Sequence, residues 1–360
     1  MKKNIIANLL NILFSLIFMG IVFLIDLNPL SLIISVVISV TNMLLAIYTI
    51  GIKDYPVIKI GRFEGSEIFC NLVIFIIQVM LITSALSNSL WLSIIALAAI
   101  LVLVQYIMFA IKELYKFLRF HLIIIFTISY TTMILYCVFL AYRDLGLKIP
   151  TTIVSVILTG IYIFLIYKEK KIMRVTELSA IFSMALMLLS IGDFTSQGIY
   201  SAIHYIISFT PVMFLLLLAC YNITKTYSEN KVSTVTAALV NLPISGIGYF
   251  IGLLAIVGLP PFSLFFGRLM IIQSSITSGD YFRAALIAVI VVLSSYFIPT
   301  RIMPALFGSK HKELIGVKED KYTIAIIFFL MILALLFTIL IPGAIGELIS
   351  NARAYVMGEL

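Results

Sequence analysis

The stretch Gly252-Leu253-Leu254-Ala255-Ile256-Val257-Gly258-Leu259-Pro260-Pro261-Phe262-Ser263-Leu264-Phe265-Phe266-Gly267-Arg268 decides how this chain folds. It sits inside an apolar interval, 236–276, that is too long for one straight membrane helix. Pro260 and Pro261 carry no amide hydrogen, so carbonyls one turn earlier, near Ile256 and Val257, lose their helical donors. Non-helical backbone at membrane depth is tolerated only where protein buries it or a wet cavity flanks it. The interval is therefore two spans or one broken span. A broken span reads either as a proline kink in a packed bundle or as a helix interrupted at an ion or substrate path.

Composition outside this stretch says membrane throughout. Hydrophobic residues make up 62% of the 360 and charged residues 11%, and the mean hydropathy is +1.20. A soluble domain is roughly half apolar and about a quarter charged. The longest polar interval, Arg301 to Tyr322, is only as long as a loop, so no soluble catalytic domain is expected. Apolar runs long enough to cross a bilayer lie near 5–25, 30–51, 68–87, 90–111, 121–142, 150–167, 175–192, 198–221, 282–299 and 322–342. The run after Met1-Lys2-Lys3 exceeds a signal-peptide core and lacks a small-x-small cleavage pattern, so it reads as a retained first helix. Cys70, Cys137 and Cys220 lie in apolar runs with no histidine at ligand spacing, which points to buried small hydrophobes and no metal site.

Charge decides between one crossing and two. The net charge of +8 comes from short basic clusters between apolar runs, the pattern of cytoplasmic loops and not of a nucleic-acid surface. With the N-terminus inside and 236–276 crossing once, 19 of the 24 basic residues fall inside and four outside (Arg143, Lys148, Arg283, Arg353), with Arg268 within a segment. Two crossings would move the cluster from Arg301 to Lys321 outside and weaken that asymmetry. The expectation is an all-α polytopic protein of about eleven spans, one of them discontinuous, with the N-terminus in and the C-terminus out.

Three elements in order then carry a resemblance. The double-proline stretch resembles the broken helix of the antiporter-like membrane subunits of respiratory complex I, Mrp-type cation/proton antiporters and membrane-bound hydrogenases. Lys171-Ile172-Met173-Arg174 through Leu186 resembles that family's basic helix start. The following span, with His204 and Phe214-Leu215-Leu216-Leu217-Leu218, resembles its next helix. The likeness is reasonable over about 170–300, faint over 65–145 and absent at the N-terminus. It implies a single transmembrane domain, 1–360, with a first-repeat remnant at 65–145 and a second antiporter-like repeat at 150–300. The family's first broken helix has no room between Tyr142 and Lys171, which implies a shortened chain closest to the subunit 2/N kind.

In that family proton movement is attributed to a line of buried lysines and glutamates, whose pKa desolvation and neighbours can move by several units. Here the line is nearly empty. The glutamate position falls on Gln105, a lysine position on Ser208 or Thr210, and the terminal position holds Arg268, which does not deprotonate in proteins. His204 is the other titratable group well inside a span. The ion-path candidates are thus Arg268, His204 and Gln105, and the helix break is Gly258, Pro260 and Pro261. A charge at membrane depth needs a reason. Arg268 either donates to the carbonyls freed by the prolines, pairs with a carboxylate of a neighbouring subunit, or snorkels. His204 reads as a neutral core histidine or a path member.

The resemblance implies a membrane-arm subunit of a proton-translocating NADH/quinone dehydrogenase or related hydrogenase. It would be without catalytic residues or a cofactor of its own, with its proton path reduced, and would sit among other membrane subunits and lipids. The alternative is a stand-alone or Mrp-type antiporter subunit. An enzyme acting on lipid-linked substrates would need polar clusters at a membrane face. His121 and His311 are single and read as solvated interfacial residues. The lysine start and isoleucine-rich composition favour a prokaryotic plasma membrane over a mitochondrial inner membrane.

Overall fold

The chain's computed structural model describes residues 2–24, 28–50, 59–60, 63–64, 67–110, 120–146, 151–192, 194–227, 235–308, 319–340, 343 and 345–359. Long apolar runs become helices because only a helix satisfies its own backbone groups in hydrocarbon. They are α1 (Lys2–Leu24), α2 (Pro29–Ile50), α3 (Glu67–Ser87) and α4 (Leu90–Ala110). After α5 (Phe120–Leu145) come α6 (Thr151–Lys168), α7 (Ile172–Ile191), α8 (Ser196–Tyr227) and the single turn α9 (Ala238–Asn241). Then follow α10 (Pro243–Val257), α11 (Ser263–Thr277), α12 (Tyr281–Phe307), α13 (Lys321–Leu340) and α14 (Gly346–Met357). A two-residue antiparallel pair, Lys59–Ile60 with Phe63–Glu64, lies between α2 and α3.

Seven of these helices are long and apolar enough to span on their own, and four more apolar helices are shorter. Counting α10 and α11 as one interrupted crossing gives the eleven spans expected. Each of those two has 15 residues, about 22 Å of helix against a hydrocarbon core of about 30 Å. Neither half crosses alone.

The chain divides into two compact units, Met1–Leu147 and Lys148–Leu360. In the first, α2 packs against α1, α3 and α5. Its exposed apolar residues include Leu9, Leu13 and Leu16 along one face of α1. Inside run polar side chains: Ser31, Ser35, Ser39, Asn42 and Thr49 of α2 are all buried. The α5 helix widens into a π-turn over Ile125–Tyr130 that packs against α2. Nothing in the apolar pattern of 121–142 signals that turn.

The second unit is built around α8, which touches α7, α10, α11, α13 and α14 and is buried along its whole apolar window. The sheath helices differ: α6 is 22% buried, with Ile153, Ile157, Ile161 and Phe164 outward on one stripe. The close approach of α10 to α8 depends on glycine. A Cβ at Gly252 would stand 3.2 Å from the Leu216 Cα, and one at Gly248 would stand 2.5 Å from Ile327 Cγ2 of α13. Thr176 of α7 shares a 2.7 Å hydrogen bond with Tyr249 of α10 and donates to Cys220 Sγ of α8, so Cys220 is a buried packing group.

The start of α10 is capped from far along the chain. Glu319 accepts from the Ile244 amide at 2.9 Å and, through its second oxygen, from the Ser245 amide at 3.0 Å and the Ser245 hydroxyl. A carboxylate on unsatisfied amides at a helix N-terminus is favoured by both hydrogen bonding and dipole.

Two expectations need correction. The span at 282–299 continues as α12 to Phe307, through Pro299 and Pro304, so Arg301 belongs to a helix and donates to the Glu169 carbonyl at 2.5 Å. His121 is not a solvated interfacial residue: only 2% of it is exposed, with its ring 6.5 Å from that of Tyr48. The side chains of Gln105 and Cys70, together with Asp193 and His311, lie outside the described residues.

Candidate functional site at the helix break

Gly258 ends α10 in the left-handed region, φ +74. Its amide donates to the Ala255 carbonyl at 3.0 Å and the Leu259 amide to the Leu254 carbonyl at 3.1 Å, a Schellman closure that satisfies two of the final carbonyls. The chain turns through Leu259 and the cis Pro260–Pro261 bond. Two carbonyls remain, those of Ile256 and Val257, whose helical donors would have been residues 260 and 261.

Arg268 takes both. Its Nη2 donates to the Ile256 oxygen at 2.6 Å and its Nη1 to the Val257 oxygen at 2.6 Å, with a third bond from Nη1 to Ser294 Oγ of α12 at 3.2 Å. Only 2% of the side chain is exposed. No carboxylate among the described residues pairs with it. These bonds are the geometry of the first of the three readings. The guanidinium lies over the carbonyl end of α10, where the helix dipole favours a cation, and its planar fork matches two adjacent acceptors. Gly258 is needed twice over, because a Cβ there would stand 2.6 Å from Arg268 Cδ.

On the other side of α11 lies His204 of α8, also 2% exposed. Its Nε2 stands 3.5 Å from Ser263 Oγ, and Ser263 shares a 2.7 Å hydrogen bond with Ser208. Ser208 in turn donates to the His204 carbonyl at 2.8 Å. Of the two positions where the resemblance implies a lysine, Ser208 is a hydroxyl spent on joining α8 to the first turn after the break, and Thr210 donates to the Ile206 carbonyl within α8. Gly267 lets His204 and Tyr205 approach, since its Cβ would sit 3.0 Å from Tyr205 Cδ2. His204 Nδ1 and Tyr205 OH have no hydrogen-bond partner among the described residues.

The break therefore holds one fixed positive charge, one imidazole and several hydroxyls. Arg268, Gly258, Pro260 and Pro261 form one cluster, with His204 on the opposite side of α11. Sequence reading missed Ser263 and Ser294. Their only signal was position, first in the helix after the break and mid-span in the next.

The broken helix of α10 and α11 is bedded on α8, which is buried along its whole apolar window, an arrangement similar to that of antiporter-like membrane subunits. Residues 124–295 match the family described as NADH:quinone oxidoreductase/Mrp antiporter, TM. Among relatives, the Staphylococcus aureus (strain JH9) protein named as antiporter subunit mnhD2 is 26% identical over 150 residues. That match covers 42% of this chain and 30% of the relative, so the chain aligns with less than a third of that protein's length. Solved structures share the fold. A chain of the membrane-bound sulfane sulfur reductase, an archaeal respiratory membrane complex, superposes with TM-score 0.72 at 14% identity, covering 99% of this chain and 93% of that one. One from Thermus thermophilus respiratory complex I gives 0.69 at 12%, covering 96% and 94%. One from the Mrp complex of Dietzia sp. DQ12-45-1b gives 0.56 at 15%, covering 89% and 73%.

Proposed function

We propose that the chain is a non-catalytic membrane-arm subunit of a complex I-like, ion-translocating oxidoreductase, either an NADH/quinone dehydrogenase or a related hydrogenase. It binds no cofactor, and its broken helix serves assembly more than proton transfer. One observation carries the reading: the terminal ionisable position is an arginine whose two terminal nitrogens donate to the carbonyls that the break exposes. A guanidinium that already holds a structural job is a poor relay. A second reading, a subunit of an Mrp-type cation/proton antiporter, is favoured by the likeness to mnhD2.

Purification of the tagged chain from native membranes in mild detergent tests both. Co-purifying redox subunits support the first reading. Only further antiporter-like membrane subunits support the second. A chain that runs alone overturns both. Within the assembly, Arg268→Leu is expected to reduce assembled complex at least as much as ion pumping. Full assembly with lost pumping would mean the arginine serves the ion path. The chain would lie in a prokaryotic plasma membrane with its N-terminus cytoplasmic, supported by the 19 basic residues that this orientation places inside.

A further inference from the structure

The turn that joins α6 to α7 carries exposed positive charge that the reading of the break does not use. Lys168, Lys170, Lys171 and Arg174 are all exposed. The carboxylates beside them are occupied. Glu169 Oε1 accepts from the Lys170 amide at 2.8 Å and the Lys171 amide at 2.9 Å, while the Glu177 side chain, 14% exposed, lies 3.7 Å from Arg174. With the Glu169 carbonyl held by Arg301 as well, the backbone of the turn is fixed from two sides and the three lysine side chains stand outward.

An apolar wall adjoins the turn. The helices α6 and α12 pack against each other, and Ile157, Ile161 and Phe164 of the first and Val289, Val292 and Tyr296 of the second are exposed. Rings and cations meet at one level. Tyr167 packs edge-on against Phe297 at 5.9 Å and Phe297 against Tyr296 at 5.3 Å, the placing expected of aromatics where hydrocarbon gives way to headgroups. Lys168 Nζ stands 4.4 Å from the centre of the Phe164 ring, so its stem lies along the wall with the charge near the wall's edge. At the far end of α12 the described cation is Arg283, only 3% exposed and donating to the Leu189 carbonyl. Outward positive charge therefore borders the wall at one end, among the described residues.

We propose that this face binds an anionic phospholipid, its phosphate among Lys168, Lys170 and Lys171 and its acyl chains along α6 and α12. A soluble anion would match the charge and leave the wall bare. A zwitterionic lipid would cover the wall and leave the charge unmatched. Basic residues just beyond a membrane helix attract acidic headgroups, and here they sit on a turn already fixed by hydrogen bonds, directly above a surface that suits the chains. The site is separate from the Arg268 cluster and rests on neither reading of the assembly.

Native mass spectrometry tests it on the full chain, purified in detergent with whatever subunits accompany it and offered equal amounts of phosphatidylglycerol and phosphatidylcholine. Phosphatidylglycerol is expected to be retained several-fold more. Joint substitution Lys168→Gln, Lys170→Gln and Lys171→Gln is expected to abolish the preference, and Lys225→Gln, at an exposed lysine of α8, to keep it. Equal retention of the two lipids by the unaltered chain would overturn the site. So would a preference that survives the triple substitution, or one that Lys225→Gln lowers as much. A preference seen only after other subunits are stripped away would assign the face to an acidic segment of a neighbour and overturn the lipid. The comparison of the two lipids needs no substitution, so it stands even where a variant folds poorly.

Discussion

At the residue scale, Arg268 shows how one side chain settles what two prolines disturb. The prolines remove two donors, and the guanidinium supplies two, at 2.6 Å each. Arg268→Leu abandons both carbonyls in a buried site, which costs about 1–3 kcal/mol for each, partly offset because a buried charge also leaves. A net loss of about 2 kcal/mol is expected, read as a lower Tm of the detergent-solubilised protein. Arg268→Lys restores the charge but not the fork, so its Tm should fall between the two. Gly258→Ala forces a Cβ into the left-handed region at about 1–2 kcal/mol and against the Arg268 side chain. Its Tm should drop by at least as much as that of Arg268→Lys.

At the element scale, the contact of α10 with α8 is made by absence of side chain. Gly252→Val would press methyl groups onto the Leu216 backbone, an overpacking cost of about 1–3 kcal/mol. The expected readout is faster proteolysis near the break with the helix content by circular dichroism kept. The break itself was legible in the sequence, because a missing N–H acts on the carbonyl four residues earlier and needs no tertiary information. The arginine's role was legible only as one of three options, since its choice depends on which atoms the folded chain brings near. The extension of α12 through Pro299 and Pro304 was not legible, because a polar Pro-Thr-Arg run looks like a helix end. The buried polar side chains of α2 were hidden for another reason. Hydropathy averaged over a span dilutes scattered serines and asparagines, although their spacing on one face was there to read.

At the scale of the whole molecule, eleven crossings are an odd number, so the two termini should report from opposite faces. Epitope tags at the two ends, probed in sealed right-side-out vesicles, should give antibody access to the C-terminal tag alone. Access to both would break the orientation inferred from loop charge. Glu319 adds a consequence of a practical kind. It lies just ahead of α13, yet its carboxylate is clamped on the first amides of α10, so position 319 fastens the start of one helix to the start of another. Cutting the chain there, or splicing a fluorescent reporter beside position 319, would unseat a helix more than seventy residues away in sequence, and a lost signal from such a fusion would report a loosened buckle.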